Sequence, residues 1–422
     1  MAIPAVPSSW TETCAHCAET LASLPPLILV SALCATWLGA FVALYIFLFL
    51  VAPVPRPPLP EETTYRTISK DGSITDPHPL PFWTHAGIKK KRSGTEKTDA
   101  EVFMSLVVPA YNEKERLGGM LEEAVGYLEK MYGTLGGKAT DQNGDERVLR
   151  NRKVNGYTDT NGSTDTNRIP AGYAAALQKG WEIIIVSDGS TDETEEMAFS
   201  FARDHQLSLH PKGYAGPWTP ETQEGVHIPP GTIRVVRLAH NRGKGGAVTH
   251  GMRHVRGQYV LFADADGATN FADLGKLVTA CKSVEDKAGR GVAVGSRAHM
   301  VGSDAVVKRS KLRNFLMHSF HLILYLLTPR ATAKIKDTQC GFKLFSRASL
   351  PYIVPYMHSE GWIFDVEMLM LAEFAGIPVA EVPVDWREVG GSKLNVLWDS
   401  VGMAWGLAVL RGAWGVGVYR RR

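Results

Sequence analysis

The sequence predicts an α/β fold with a parallel sheet, preceded by one membrane-spanning helix. Short β-branched runs recur beyond residue 100, and segments with helix-type hydrophobic spacing lie between them. This alternation is typical of parallel sheets, in which functional loops follow the carboxyl ends of the strands. A long uncharged stretch near the N-terminus is the third observation. With 45% hydrophobic residues in a chain of 422, a large core and a membrane segment are both possible.

The uncharged stretch is the first element of the chain. Residues Leu27 to Ala52 carry no charged side chain and would form a helix about 39 Å long, which is enough to span a bilayer. A cleaved signal peptide is the alternative, but no Lys or Arg precedes the stretch, and it is longer than a signal peptide requires. We therefore predict a membrane anchor over residues 24–52, preceded by a short lumenal N-terminus over residues 1–23.

Basic residues lie on one side of this anchor. None precedes it, whereas Arg56, Arg66, Lys70 and the run Lys89 to Arg92 follow it. Segments rich in Lys and Arg stay on the cytosolic side of a membrane. We therefore expect the bulk of the chain to lie in the cytosol.

The remainder of the chain divides by composition. Residues 53–100 are proline-rich and then polar, which predicts an extended linker. A folded domain is expected over residues 101–395, with surface insertions at about 136–169 and 205–231 that carry no chemistry. Residues 396–422 are apolar but interrupted by charges, which predicts a C-terminal segment associated with membrane lipid. A net charge of only +3 gives no reason to expect a nucleic-acid partner.

Five apolar runs in the folded domain predict buried strands. They are Val102 to Pro109, Glu182 to Val186, Ile233 to Leu238, Tyr259 to Ala263 and Val292 to Gly295. Helix-type patterns span Glu115 to Met131 and Thr191 to Arg203.

The strongest local signal follows the fourth of these strands. Asp264 and Asp266 stand directly after it with one residue between them, so both carboxylates can face one site. Such a pair suits Mg²⁺ or Mn²⁺, whose charge offsets negative charge on a diphosphate. An acidic turn without chemistry is the alternative for these residues taken alone.

Polar segments also follow the first three strands. They are Val108 to Glu113, Ser187 to Asp192, and residues 240–246, here called the glycine-rich loop. Together with the Asp-x-Asp they resemble the family 2 inverting glycosyltransferases of the GT-A, Rossmann-like fold. The resemblance implies nucleotide-sugar binding by Pro109, Tyr111, Glu113, Asp188, Lys244, Asp264 and Asp266, and a divalent metal, Mg²⁺ or Mn²⁺, at Asp264 and Asp266.

Motifs in the second half narrow the resemblance. The stretches Gly295 to His299, Asp337 to Lys343, Trp362 to Glu367 and Trp386 to Leu394 resemble those of the eukaryotic dolichyl-phosphate β-glucosyltransferases. This resemblance implies UDP-glucose and dolichyl phosphate as substrates and a single-pass protein of the endoplasmic reticulum membrane. Mannosyl transfer from GDP-mannose to the same lipid remains the closest alternative. An inactive nucleotide-sugar-binding adaptor anchored in the membrane is the alternative from another class.

The acceptor chemistry sets the remaining candidates. A lipid phosphate is already an oxyanion at neutral pH, so a strong general base is not required. The expected catalytic residues are Asp266, Asp365, Lys393 and Arg297, with Asp365 at the base-like position of the family. Arg297, Arg309, Arg313 and Lys393 are the candidates for binding the acceptor phosphate. An apolar run with basic flanks at residues 312–327 predicts a helix in the headgroup layer, with a buried core helix as the alternative.

Overall fold

The computed structural model describes residues 25–83, 100–133, 180–219, 224–300, 324, 326–391 and 396–421. They form two compact units: Val54–Leu407, and the described residues up to Pro53 together with those from Ala408 onward. Several sequence predictions fall outside the described residues. These are the N-terminal segment 1–23, the insertion 136–169, nearly all of the predicted helix 312–327, and the candidates Arg309, Arg313 and Lys393.

The described residues of the larger unit form nine strands. They are β1 Thr64–Tyr65, β2 His78–Pro79, β3 Val102–Ala110, β4 Trp181–Asp188, β5 Ile233–Leu238, β6 Gly257–Ala263, β7 Val292–Ser296, β8 Phe342–Ser346 and β9 Val379–Pro383. Strands β1 and β2 form a small antiparallel hairpin, and the others form one sheet in the order β5-β4-β3-β6-β8-β7-β9. All five strands predicted from the sequence are present.

The sheet is mixed rather than purely parallel, which corrects one detail of the prediction. Strands β5, β4, β3 and β6 run parallel, as do β7 and β9, but β8 lies antiparallel between β6 and β7. The sequence of β8, Phe-Lys-Leu-Phe-Ser, is short and contains a lysine, so periodicity alone did not identify it as a strand.

Nine α-helices accompany the strands. They are α1 Pro26–Val51, α2 Lys114–Tyr132, α3 Thr194–Leu207, α4 Lys244–Met252, α5 Leu274–Val284, α6 Arg330–Ala333, α7 Leu350–Ile353, α8 Phe364–Phe374 and α9 Val396–Val416, all within the described part of the chain. The two helix-type patterns of the sequence correspond to α2 and α3. The α/β prediction is therefore confirmed.

Helices cover both faces of the parallel half of the sheet. Leu106 and Val108 of β3 share one hydrophobic cluster with Leu117 and Leu121 of α2. Val107, which alternates with them, contacts α4 on the other face. A strand buried on both faces needs a continuous apolar run, which is what the sequence of β3 shows.

Helix α1 has the properties of a membrane anchor. It is 26 residues long, and among the described helices it alone is long and apolar enough to cross a membrane. Its side chains are nearly all exposed, with Leu48 as the buried exception. Gly412 of α9 lies against Leu48, and the Tyr419 hydroxyl donates to the Pro53 carbonyl at 2.5 Å, so the end of α1 packs with the C-terminal segment.

Residues 54–83 are folded, whereas the sequence predicts a linker there. Arg66 exchanges backbone hydrogen bonds with Val235 of β5, and the Thr67 hydroxyl donates to the Ile233 carbonyl at 2.6 Å. The contacts are made mostly by backbone and by single polar groups, which a proline-rich composition does not reveal. The compact unit therefore begins at Val54 rather than near residue 101.

Close packing of α4 on the sheet depends on Gly251. A Cβ at this position would lie 2.6 Å from Val107 Cγ1 and 2.9 Å from Val186 Cγ2. We expect Gly251→Ala to lower the free energy of unfolding by about 1–3 kcal/mol through overpacking. Gly126→Ala in α2 is the control, because a Cβ there meets no atom within 4 Å and alanine favours a helix. Thermal unfolding in detergent should show a lower Tm for G251A alone; equal Tm values would contradict the packing argument.

Candidate active site

The parallel strands bring the predicted site residues to one edge of the sheet. Pro109 lies near the end of β3 and Asp188 ends β4, while Lys244 begins α4 after β5. Asp264 follows β6 directly. Because the carboxyl ends of parallel strands share an edge, these residues face a common region.

An ion pair joins two of these strand ends. The Lys244 ammonium lies 2.6 Å from Oδ1 of Asp264. Burial works against the charge of Lys244, but the carboxylates of Asp264 and Asp365 outweigh it and raise the pKa of the lysine. Gly341 makes room for the carboxylate, since a Cβ at 341 would lie 2.0 Å from Asp264 Oδ2. The structure therefore brings Asp264 and Lys244, both predicted for the nucleotide-sugar site, into contact.

Asp266 lies in the same loop, residues 264–267, here called the carboxylate loop. Its Oδ1 accepts the backbone N–H of Ala268 at 3.0 Å, and its Oδ2 lies 3.9 Å from Nη1 of Arg116. Burial, and then the charge of Asp264, raise the pKa of Asp266. Gly267 closes the loop with φ +68°, a conformation that favours glycine.

The donor set of this loop fits a hard cation that also binds a substrate. Among the described residues no group of three His, Cys, Asp or Glu side chains is placed to enclose a metal ion. Mg²⁺ commonly takes one or two carboxylates and completes its shell with substrate phosphates and water. Asp264 and Asp266 supply such a partial set.

A second buried pair stands beside the first. Lys343 of β8 has no exposed surface, and its Nζ contacts Oδ1 of Asp365 and the carbonyl of Cys340, the latter at 2.6 Å. Asp365 belongs to the first turn of α8. Burial raises the pKa of Asp365, and the charges of Lys343 and Lys244 oppose that rise. The partner lysine was not singled out in the sequence, although it lies in a quoted motif.

Asp188 holds the glycine-rich loop. Its two oxygens accept the backbone N–H groups of Arg242 at 2.7 Å and Gly243 at 2.9 Å. Burial raises the pKa of Asp188 to about 6, although these amides and nearby arginines oppose the rise. Gly243 has φ +85°, and a Cβ there would meet the Glu360 carbonyl at 2.5 Å.

The segment after β3 contributes a further pair. Arg116 donates Nε and Nη2 to the carboxylate of Glu113, both at 2.7 Å, so the predicted Glu113 is engaged in a bidentate interaction. Tyr111 is 37% exposed at the same edge. Arg116 was missed by sequence reasoning, and its position three residues after Glu113 in α2 is the signal that could have identified it.

Arg297 is engaged in a similar way. Its Nε and Nη2 donate to the two oxygens of Asp337 at 2.7 and 2.9 Å, and its guanidinium lies 5.6 Å from the Trp386 ring centre. Burial disfavours the charge of Arg297, but Asp337 outweighs burial and raises the pKa. The structure therefore brings Arg297 into a neutralised pair.

The predicted surface insertion 205–231 reaches the carboxylate loop. The Trp218 indole donates to the Gly267 carbonyl at 3.1 Å, and the Arg387 guanidinium lies 4.1 Å from the Trp218 ring centre. Glu123 of α2 accepts the backbone N–H of Trp218 at 2.8 Å. Sequence reasoning missed all three side chains; a tryptophan within a Gly- and Pro-rich stretch was the available signal.

Glu123 makes stability depend on pH. Burial raises its pKa to about 7 from 4.5, so its contribution to folding is complete below pH 4.5 and is lost as the pH rises through about 7. Glu123→Gln keeps an acceptor for Trp218 but cannot titrate. We expect the free energy of unfolding of the wild type to fall by on the order of 2 kcal/mol across this window, and that of the variant to stay constant. The expected fall is smaller than the full pKa shift would give, because solvent screens part of the interaction.

Tm values of both proteins below pH 5 and above pH 7 measure this difference. Glu115→Gln, an exposed glutamate in the first turn of the same helix, is the control. It should follow the wild-type profile. An identical pH profile for E123Q and wild type would count against the shift.

Known proteins resemble the chain over most of its length. The family model described as Glycosyl transferase family 2 matches residues 219–353, which include the carboxylate loop. Dolichyl-phosphate β-glucosyltransferase of Saccharomyces cerevisiae is 36% identical over 90% of this chain and 91% of its own length. The proteins of the same name from Dictyostelium discoideum and Homo sapiens are 35% and 33% identical, over 76% and 74% of this chain and 77% of each relative. The chain therefore belongs to the dolichyl-phosphate β-glucosyltransferase family.

Proposed function

We propose that this protein transfers glucose from UDP-glucose to dolichyl phosphate with inversion, giving dolichyl β-D-glucosyl phosphate for assembly of the protein N-glycosylation precursor. Family membership is the observation that carries the sugar and the acceptor, because relatives of this name match at 33–36% identity across most of the chain. The identity of the donor nucleotide rests on the site residues and on the resemblance.

The edge of the sheet supplies groups suited to a nucleotide sugar. We assign base and ribose contacts to Pro109, Tyr111 and Asp188, and contacts with the diphosphate to the glycine-rich loop and Lys244. Backbone amides near glycine can approach phosphate oxygens closely. Asp188 supports this role by fixing two loop amides. Glu113 acts through Arg116, which it holds within 3.9 Å of Asp266.

Asp264 and Asp266 would hold the divalent metal, Mg²⁺ or Mn²⁺. When bound, such an ion offsets the negative charge that grows on the departing diphosphate. Lys244 places a further positive charge beside Asp264. Gly341 leaves room for the Asp264 carboxylate, and the Trp218 indole donates to the Gly267 carbonyl of the carboxylate loop. We propose that these contacts position the two carboxylates before substrate binds.

The reaction needs no strong base. An oxygen of the dolichyl phosphate forms the new bond to the anomeric carbon as the bond to the UDP oxygen breaks and that oxygen keeps the electron pair. The nucleophile is already an anion, so no proton has to be removed. Asp365 fits this scheme, because it is held by Lys343 and buried rather than standing free as a base. We propose that Asp365 orients the reacting groups.

The acceptor phosphate requires cationic side chains. Lys393, Arg309 and Arg313 remain proposals for this role and lie outside the described residues. Arg297 remains a candidate as well, but Asp337 already offsets its charge. We therefore give it the smaller share of phosphate binding and assign it a further role in positioning the loop that starts at Asp337.

The alternatives have less support. The relatives reported above carry the glucosyl name, which does not favour mannosyl transfer from GDP-mannose. An inactive adaptor would not need two carboxylates, a buried Lys343–Asp365 ion pair and a hydrogen-bonded carboxylate loop at the same edge of the sheet. Both carboxylates of the Asp-x-Asp are present and held in place.

Helix α1 is long and apolar enough to cross a membrane, and we propose that it anchors the enzyme in the membrane that contains its lipid acceptor. We propose the endoplasmic reticulum as that membrane, with the catalytic unit on the cytosolic side. The basic residues that follow the anchor support this orientation.

A donor comparison tests the function. Full-length protein in detergent micelles is given dolichyl phosphate with radiolabelled UDP-glucose, UDP-galactose or GDP-mannose in parallel. We expect labelled lipid from UDP-glucose alone, with the β-configuration at the anomeric carbon. Equal or greater transfer from GDP-mannose would overturn the donor assignment.

Asp266→Asn tests the metal assignment. The variant keeps the size of the side chain and an acceptor for Ala268 but loses the negative charge. We expect transfer to fall by about 100-fold or more, and the residual activity to need higher Mn²⁺ than wild type. Asp76→Asn, an exposed position, should behave as wild type. Full activity of D266N after treatment with a chelator would exclude the metal role.

A further inference from the structure

The glycine-rich loop, which connects β5 to α4, is held by groups from other parts of the fold. Asp188 fixes the amides of Arg242 and Gly243 from β4. On the other side, the Glu360 carbonyl accepts the N–H of Gly246 at 3.1 Å. These contacts fix the backbone of the loop, whereas the side chain of Arg242 makes separate contacts.

Arg242 is buried between two glutamates. Its Nη2 lies 2.7 Å from Glu360 Oε1, and its Nη1 lies 3.3 Å from Glu62 Oε2. The same guanidinium donates to the backbone carbonyl of Arg56. Arg242 is 7% exposed, so solvent would replace little of the interaction that is lost if one of the two carboxylates is removed. The conformation of the loop at residue 242 thus depends on both glutamates.

Glu62 belongs to the chain between the anchor and the sheet. It lies in a short 3₁₀ helix, Pro60–Thr63, and is 3% exposed. Besides Arg242 it binds the N–H of Ala239, at 3.1 Å, in the segment that leads from β5 to the loop. Its own carbonyl accepts from Nε2 of His250 in α4 at 2.8 Å, and burial lowers the pKa of His250 to about 3, which keeps that ring neutral.

Arg56 makes the second set of contacts from the same segment. Its Nε pairs with Glu360 at 2.8 Å, and its Nη2 donates to the carbonyl of Asn241 at 3.3 Å. Arg56 follows the last residue of α1, Val51, by five positions in the chain. The segment 56–62 therefore contacts the glycine-rich loop at both of its ends. Arg56 does so through its side chain and its carbonyl, and Glu62 does so through its side chain.

We infer that residues 56–62, the segment that leaves the membrane anchor, are a positioning element of the donor site. Glu62 and Arg56 hold Arg242 and Asn241, and these residues place the loop amides that meet the diphosphate. The inference rests on the proposed role of the glycine-rich loop in binding UDP-glucose. It implies that the catalytic unit requires this segment for donor affinity, even though no residue of the segment touches the reacting atoms.

Glu62→Gln in the full-length protein tests the inference. The variant keeps the shape of the side chain but removes the charge that faces Arg242. We expect the KM for UDP-glucose to rise by about tenfold and the KM for dolichyl phosphate to stay within about twofold of wild type. Glu61→Gln is the matched control: it makes the same change in the same 3₁₀ helix, at an exposed side chain. It should leave both KM values unchanged.

Amide hydrogen exchange gives a readout that does not depend on catalysis. In E62Q the amides of residues 241–246 should exchange faster than in wild type, while those of β3 do not change; in E61Q neither set should change. If E62Q does not fold, Arg56→Ala is measured in its place, with the same pattern at a smaller amplitude. Unchanged exchange in residues 241–246, or an equal rise in both KM values, would overturn the inference. Absence of transfer from UDP-glucose by the wild type would instead reject the proposed function, and the exchange comparison would still decide whether the segment holds the loop.

Discussion

Charge balance at the end of β6 is the constraint on which the site depends. Asp264, Asp266 and Asp365 bring three carboxylates into a partly buried space, where like charges repel strongly. Cations from three different elements offset them: Lys244 from α4, Lys343 from β8 and Arg116 from α2. The order of the strands contributes to this balance, because β8 lies next to β6 and carries Lys343, which pairs with Asp365 of α8.

The parts of the fold that were predictable are those in which the sequence pattern is local. A run of apolar residues predicts strand β3, and the Asp-x-Asp is recognisable because its two carboxylates follow the apolar run of β6. Strand β8 was not predicted, because a buried lysine within a strand makes sense only once its partner Asp365, 22 residues away, is known. The pairing of Lys343 with Asp365 forms only in the folded chain and produces no periodic pattern in the sequence.

The same limit applies to the segment before the sheet and to the insertion near Trp218. Prolines and polar residues over 53–83 suggest an extended linker, yet single contacts such as that of Thr67 with Ile233 hold the segment on β5. Trp218 lies in a stretch that composition assigns to the surface, but it supports the carboxylate loop. In both places a few hydrogen bonds to backbone groups determine the structure, and amino-acid composition does not predict such bonds.

The antiparallel placement of β8 has a consequence for the folding of the enzyme. Side chains alternate along a strand, so a shift of β8 by one residue would turn Lys343 away and present Phe342 or Leu344 to Asp365. Such a chain would bury an unpaired carboxylate and lose apolar packing at the same time. A register shift of β8 is therefore disfavoured by two separate free-energy costs. The charged residues of the site thus also help to select the correct register of the sheet.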